Sequence, residues 1–176
     1  NLYREEFQLK SNEFYYKKLA IKNFYDSAEV VFIKLLLQVE LSEKIRNIIT
    51  DSLFKKFVST DQSTFSKELY VSKDQLKCMS RNGMYIGSHG YGHYWLDSLS
   101  PEDQEKEIDL SLKFLNEINC STENWVMCYP FGAYNESLTS LLRKKNCKLA
   151  FTTKVDIATL NESNAFTLER LDTNDI

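Results

Sequence analysis

The sequence predicts an α/β fold built on a parallel sheet, on three observations. Short apolar runs at residues 84–87, 125–129 and 148–153 alternate with amphipathic stretches, the alternation that generates parallel strands joined by helical crossovers. Helix-start signals precede several of those stretches. The two most unusual segments, 88–93 and 129–135, each follow an apolar run, at the strand ends where such folds gather their chemistry.

Taken in order, the first 25 residues carry Phe14, Tyr15, Tyr16 and Phe24 at irregular intervals and read as weakly ordered or strand-like. From a capping Ser27, the positions Val30, Ile33, Leu37 and Leu41 repeat every three or four residues, which predicts an amphipathic helix. A second helix starts at Ser42, with Glu43 in its first turn and Ile45, Ile48, Ile49, Leu53 and Phe57 on one face. Together these make a helical hairpin. A polar break at 59–66 and a short extended piece at 68–71 follow. Ser72 and Gln75 form a capping box, and the helix they open stops at Asn82-Gly83. Residues 84–87, Met-Tyr-Ile-Gly, read as a buried strand. Ser100-Pro-Glu-Asp then supplies an N-cap, a proline at the first helical position and two acids at the positive helix end, with Ile108, Leu112 and Leu115 as the apolar stripe. Residues 125–129 form a strand ended by Pro130, and Asn135 caps a helix carrying Leu138, Leu141 and Leu142. A third strand at 148–153 and a fourth at 166–171 complete the reading.

Composition narrows the function classes. The 176 residues, 43% hydrophobic and 27% charged with only two prolines and five glycines, describe one compact domain without linkers. A net charge of -3 provides no basic field for phosphates, so nucleic-acid partners are set aside. No apolar run approaches the length of a transmembrane helix. The four cysteines, Cys78, Cys120, Cys128 and Cys147, show no CxxC pair and read as free thiols, which points to a reducing, cytoplasmic compartment. The oligomeric state is not legible.

Both histidines lie in Ser-His-Gly-Tyr-Gly-His, at 89 and 93. The i, i+4 spacing suits two imidazoles converging on one ion, and equally two unrelated surface histidines in one loop. Context favours the ion, since the pair follows an apolar run and is flanked by glycines that let the backbone turn sharply. A zincin would need glutamate after the first histidine, and Gly90 stands there. The other segment, Cys128-Tyr-Pro-Phe-Gly-Ala-Tyr-Asn135, reads by itself as a tight connection whose rings cover the core. Cys128 as a nucleophile lacks a base. The acidic run from Glu102 to Glu107 reads as a solvated helix face.

Together, His89-Gly-Tyr-Gly-His93, Tyr129-Pro-Phe-Gly132, the strand ending in Thr153 and Arg170-Leu-Asp172 resemble, in this order, the motifs of the polysaccharide deacetylase family, carbohydrate esterases with the nodulation-type deacetylase domain. The resemblance covers residues 67–176. It implies an incomplete, distorted (β/α) barrel spanning 1–176, with residues 25–58 as a helical insertion before the histidine motif. It also implies a divalent metal, Zn2+ first among them, held by His89 and His93 and one aspartate, and an N-acetylated glycan as substrate. The metal polarises the acetyl carbonyl and acidifies a water whose proton goes to a neighbouring aspartate, while the Phe131 N–H receives the oxyanion. Tyr129, Pro130 and Phe131 would line the sugar site.

Three departures accompany the resemblance. No apolar strand ending in paired aspartates precedes His89, so that strand is expected upstream of Asn1, and this chain alone is expected to lack the base. Cys128 replaces the third motif's arginine, with Arg170 as the substitute. No histidine follows His93. Asp97, four residues beyond His93, is a possible third ligand or a plain surface acid. The rival readings are a non-catalytic carbohydrate-binding or assembly protein of the same fold, and a metal-free structural domain.

Overall fold

A computed structural model describes residues 3–23 and 25–175. The chain divides into two compact units, Asn1–Tyr70 and Val71–Ile176. The first is helical: α1 (Asn12–Leu19), α2 (Ala28–Leu35), a wider π turn (Leu36–Glu40), α3 (Glu43–Phe57) and α4 (Gln62–Leu69). The second contains α5 (Lys73–Arg81), α6 (Pro101–Glu117), β1 (Val126–Cys128), α7 (Glu136–Lys144) and β2 (Leu149–Phe151).

In the first unit short polar side chains set most boundaries. Ser11, Ser27 and Asp61 each accept the backbone N–H three residues on, satisfying an orphan donor at a helix start. The weakly ordered or strand-like reading of the first 25 residues is therefore corrected to a helix over α1; Phe24 lies outside the described residues. The polar break at 59–66 and the extended piece at 68–71 give way to α4, whose Phe65 packs edge-on against Phe54 of α3 at 5.2 Å. Of the stripe expected here, Leu41 is buried while Val30 and Ile33 on α2 are exposed, Val31 being the residue that α2 buries. The π turn at Leu36–Glu40 adds a residue to the helical repeat before Leu41. On α3, Ile45 is buried but Leu53 and Phe57 are exposed.

In the second unit the capping box at Ser72/Gln75, the Ser100 cap with Pro101 behind it and the Asn135 cap all form as the sequence predicts. Gly83 takes φ 84° just past the α5 C-cap. β1 and β2 pair in parallel, Met127 opposite Ala150, and α7 is the crossover such a pair requires. One bridging residue flanks the pair on each side, Ser88 against Met127 and Leu168 against Phe151, both parallel. The strands expected at 84–87 and 166–171 shrink to these two bridges, and Met84 and Tyr85 are exposed rather than buried. The result is an α/β arrangement with a small parallel sheet.

Its core gathers Leu96, Ile108, Trp125, Met127, Tyr129, Leu138, Leu142, Cys147, Ala150 and Phe166. Burial raises the Cys147 thiol to about 12, which removes it as a thiolate. Among the described residues all four cysteines are free, and no helix is long and apolar enough to cross a membrane.

Candidate functional site

The two segments singled out by sequence meet at the C-terminal end of β1. Ser88 donates its N–H to Val126 O (2.8 Å) and accepts from Cys128 N (2.9 Å), which anchors the histidine loop beside the strand. Gly90 then turns through φ 74° and His93 through φ 56°. This brings the rings of His89 and His93 edge to face, centroids 4.8 Å apart. The Phe131 ring meets His93 at 4.8 Å and stacks flat on Trp95 at 4.5 Å.

His89 Nδ1 lies 2.6 Å from the carbonyl oxygen of Cys128. A carbonyl only accepts, so Nδ1 carries the proton and Nε2 keeps its lone pair, the tautomer a metal ligand needs. The bond uses the main chain, so the Cys128 side chain does not enter it.

The turn after β1 is equally constrained. Phe131 and Gly132 both adopt left-handed backbone, φ 57° and 72°. A Cβ on Gly132 would lie 2.3 Å from Thr153 Oγ1 and 3.0 Å from Thr153 N, the latter fixed at the end of β2. Gly132→Ala is therefore expected to destabilise the protein by about 1–3 kcal/mol through overpacking and a left-handed non-glycine residue, read as a fall in urea midpoint.

Other expected site residues fall elsewhere. Tyr129 and Pro130 are buried, and the Tyr129 hydroxyl donates to Phe166 O at 3.0 Å. Burial raises that phenol well above its ordinary range. Against the expectation that they line a sugar site, both lie just past β1 with their side chains buried, Tyr129 within the core cluster; Phe131 is half-buried beside the histidines. Arg170 donates from Nε to Thr152 O at 2.9 Å and borders a cavity of about 160 Å³ with Thr153 and Asp172. Asp97 is exposed on a single 3-10 turn, where its carbonyl accepts from Asn135. Among the described residues no group of three His, Cys, Asp or Glu side chains could hold a metal. Two imidazoles, donors of the type a divalent ion takes, come together here, and no carboxylate or thiol joins them as a third donor among the described residues.

Three residues escaped the sequence reading. Gln104, Glu107 and Ser111 of α6 are buried, so within the acidic run Glu102, Asp103 and Glu105 are solvated as expected while Gln104 and Glu107 are not. Gln104 donates to Leu96 O (2.8 Å), the Ser111 hydroxyl bonds the Ser88 hydroxyl (2.7 Å), and one Glu107 oxygen accepts from Tyr91 N (3.0 Å) and Gly92 N (2.7 Å). They share the helical repeat of Ile108 and Leu115, and that shared period was the available signal.

The sequence model of the polysaccharide deacetylase family matches residues 47–150. This chain belongs to that family. A "Putative polysaccharide deacetylase YxkH" from Bacillus subtilis (strain 168) is 27% identical over 93 residues, 53% of this chain and 33% of the relative. Among solved structures, the Streptococcus pyogenes deacetylase PplD in complex with acetate superposes with a TM-score of 0.55 at 26% identity, covering 69% of this chain and 56% of that one. The chain thus spans a third of the curated relative and little more than half of the solved deacetylase.

Proposed function

We propose that this chain carries the metal-binding half of a polysaccharide N-deacetylase, with His89 and His93 as ligands to a divalent ion, Zn2+ first among them. The observation that carries the reading is the pair of imidazoles brought edge to face after β1, with His89 locked in the ligand tautomer by the Cys128 carbonyl. Membership of the family and the likeness to a solved deacetylase support it.

A divalent ion held by His89 and His93 would supply Lewis-acid polarisation of an acetamide carbonyl and would acidify a water. The protein's own contributions are positional. His89 offers a fixed neutral nitrogen, and the Phe131 ring borders His93 and backs onto Trp95. The left-handed turn presents the Phe131 N–H as the proposed oxyanion donor. The base and third ligand are carboxylates from outside the described set, in the manner of the paired aspartates that the family resemblance implies. The incomplete (β/α) barrel belongs to the same proposal, with Ser88 and Leu168 marking its neighbouring strand positions.

The test is acetate release from N-acetylated sugar oligomers. The full-length gene product loaded with zinc is expected to release acetate, and the 176-residue chain alone to bind zinc weakly and turn over little. Full turnover by this chain alone would contradict the assignment of the base. Oligomer binding with no acetate release by the full-length product would favour the non-catalytic carbohydrate-binding reading.

A further inference from the structure

Helix α6 addresses the histidine loop along its length. Ser111 holds Ser88 at the start, Gln104 holds Leu96 at the end, and Glu107 holds the middle. Of the three, only Glu107 is an acid, and it acts on Tyr91 and Gly92, two of the three residues that separate the histidines. Both its bonds run to one oxygen, Oε2, which also lies 3.8 Å from where a Cβ on Gly90 would stand. The Pro130 ring also closes on Gly90, at 3.6 Å from the same point. The loop's sharp reversal between Gly90 and His93 is thus wrapped around one buried acceptor, which satisfies two N–H groups that the left-handed turn leaves without a helical or sheet partner.

We infer that Glu107 is a positioning residue, setting His93 against His89 through the Tyr91 and Gly92 amides. It touches neither ion nor substrate; its effect on metal affinity is indirect, and that part rests on the proposed role of the two histidines. Two N–H donors at 2.7 and 3.0 Å from a single atom fix the peptide planes on either side of Tyr91, and with them the course on which the backbone enters Gly92 and His93.

The experiment compares Glu107→Ala, Glu107→Asp and Glu107→Gln in the full chain. Gln places an amide oxygen where Oε2 stands, and one oxygen suffices for both donors. Asp keeps the charge and withdraws the oxygen by a methylene. Without metal, the nuclear Overhauser contact between the His89 and His93 rings, 4.8 Å apart, reports the loop. The Trp125 indole N–H, bonded to Lys145 O, reports an intact core. The contact is expected in the unaltered chain and in Glu107→Gln, and lost in Glu107→Ala and Glu107→Asp with the indole signal unmoved. Zinc affinity is expected to fall about 10–100-fold in the same two variants, the usual cost of losing a partner that orients a ligand, and to be retained in Glu107→Gln. If Glu107→Ala does not fold, Glu107→Asp against Glu107→Gln decides. Persistence of the ring contact in a folded Ala or Asp variant, or its absence from the unaltered chain, overturns the inference. If the unaltered chain binds no zinc, the metal assignment fails, and the ring contact still decides the role of Glu107.

Discussion

Replacing His89 by alanine is expected to abolish zinc binding at this site and, in the full-length protein, to reduce acetate release to background. The loss should exceed the roughly 10–100-fold that removal of an orienting partner costs, because the substitution deletes a donor atom instead of loosening it. His93→Ala should behave the same way. Stability should change little, since His89 is exposed and its hydrogen bond to the Cys128 carbonyl is worth about 1 kcal/mol. The measurements are zinc content after dialysis, acetate yield and thermal midpoint. Full zinc content in His89→Ala with unchanged acetate release would show that the imidazoles are not the ligands.

Trp125→Ala is expected to carry the largest stability effect. Trp125 is fully buried at the start of β1, and its indole N–H donates to Lys145 O at 2.8 Å, tying the strand to the end of α7. Removing so large a buried side chain costs about 3–5 kcal/mol, and the Lys145 carbonyl loses its partner as well. Against a total of about 5–15 kcal/mol for a typical domain, that is enough to populate unfolded chain under mild conditions. Urea denaturation followed by circular dichroism is the measurement. Trp125→Phe retains most of the buried surface and should fall between the two. A midpoint for Trp125→Ala indistinguishable from the unaltered chain would remove Trp125 from the centre of this core.

The boundaries that rest on local chemistry were readable. Ser72 with Gln75, Ser100 with Pro101, and Asn135 each name a helix start because one side chain satisfies one backbone donor, independently of the rest of the fold. The histidine pair and the Pro-Phe-Gly turn were readable too, as unusual residues after apolar runs. What escaped depends on partners distant in sequence. Residues 84–87 are apolar, yet Met84 and Tyr85 are exposed, and pairing begins only at Ser88. α4 is mostly polar; its aromatic contact is Phe65 on Phe54, which no periodicity displays. The buried face of α6 was hidden by Glu102, Asp103 and Glu105, which make the helix look uniformly acidic although Gln104 and Glu107 point inward. Tyr129, expected to line a sugar site, is buried, because a motif names residue types and not their burial.

The polar stripe on α6 limits how portable this histidine loop is. A short histidine loop is an obvious piece to graft onto another scaffold, but this one is cast in a mould that lies downstream, with its start, middle and end gripped by Ser111, Glu107 and Gln104 in turn, and with Ser88 and His89 pinned to Cys128. Residues 88–98 moved by themselves would arrive without their template. The smallest transferable cassette reaches through Cys128.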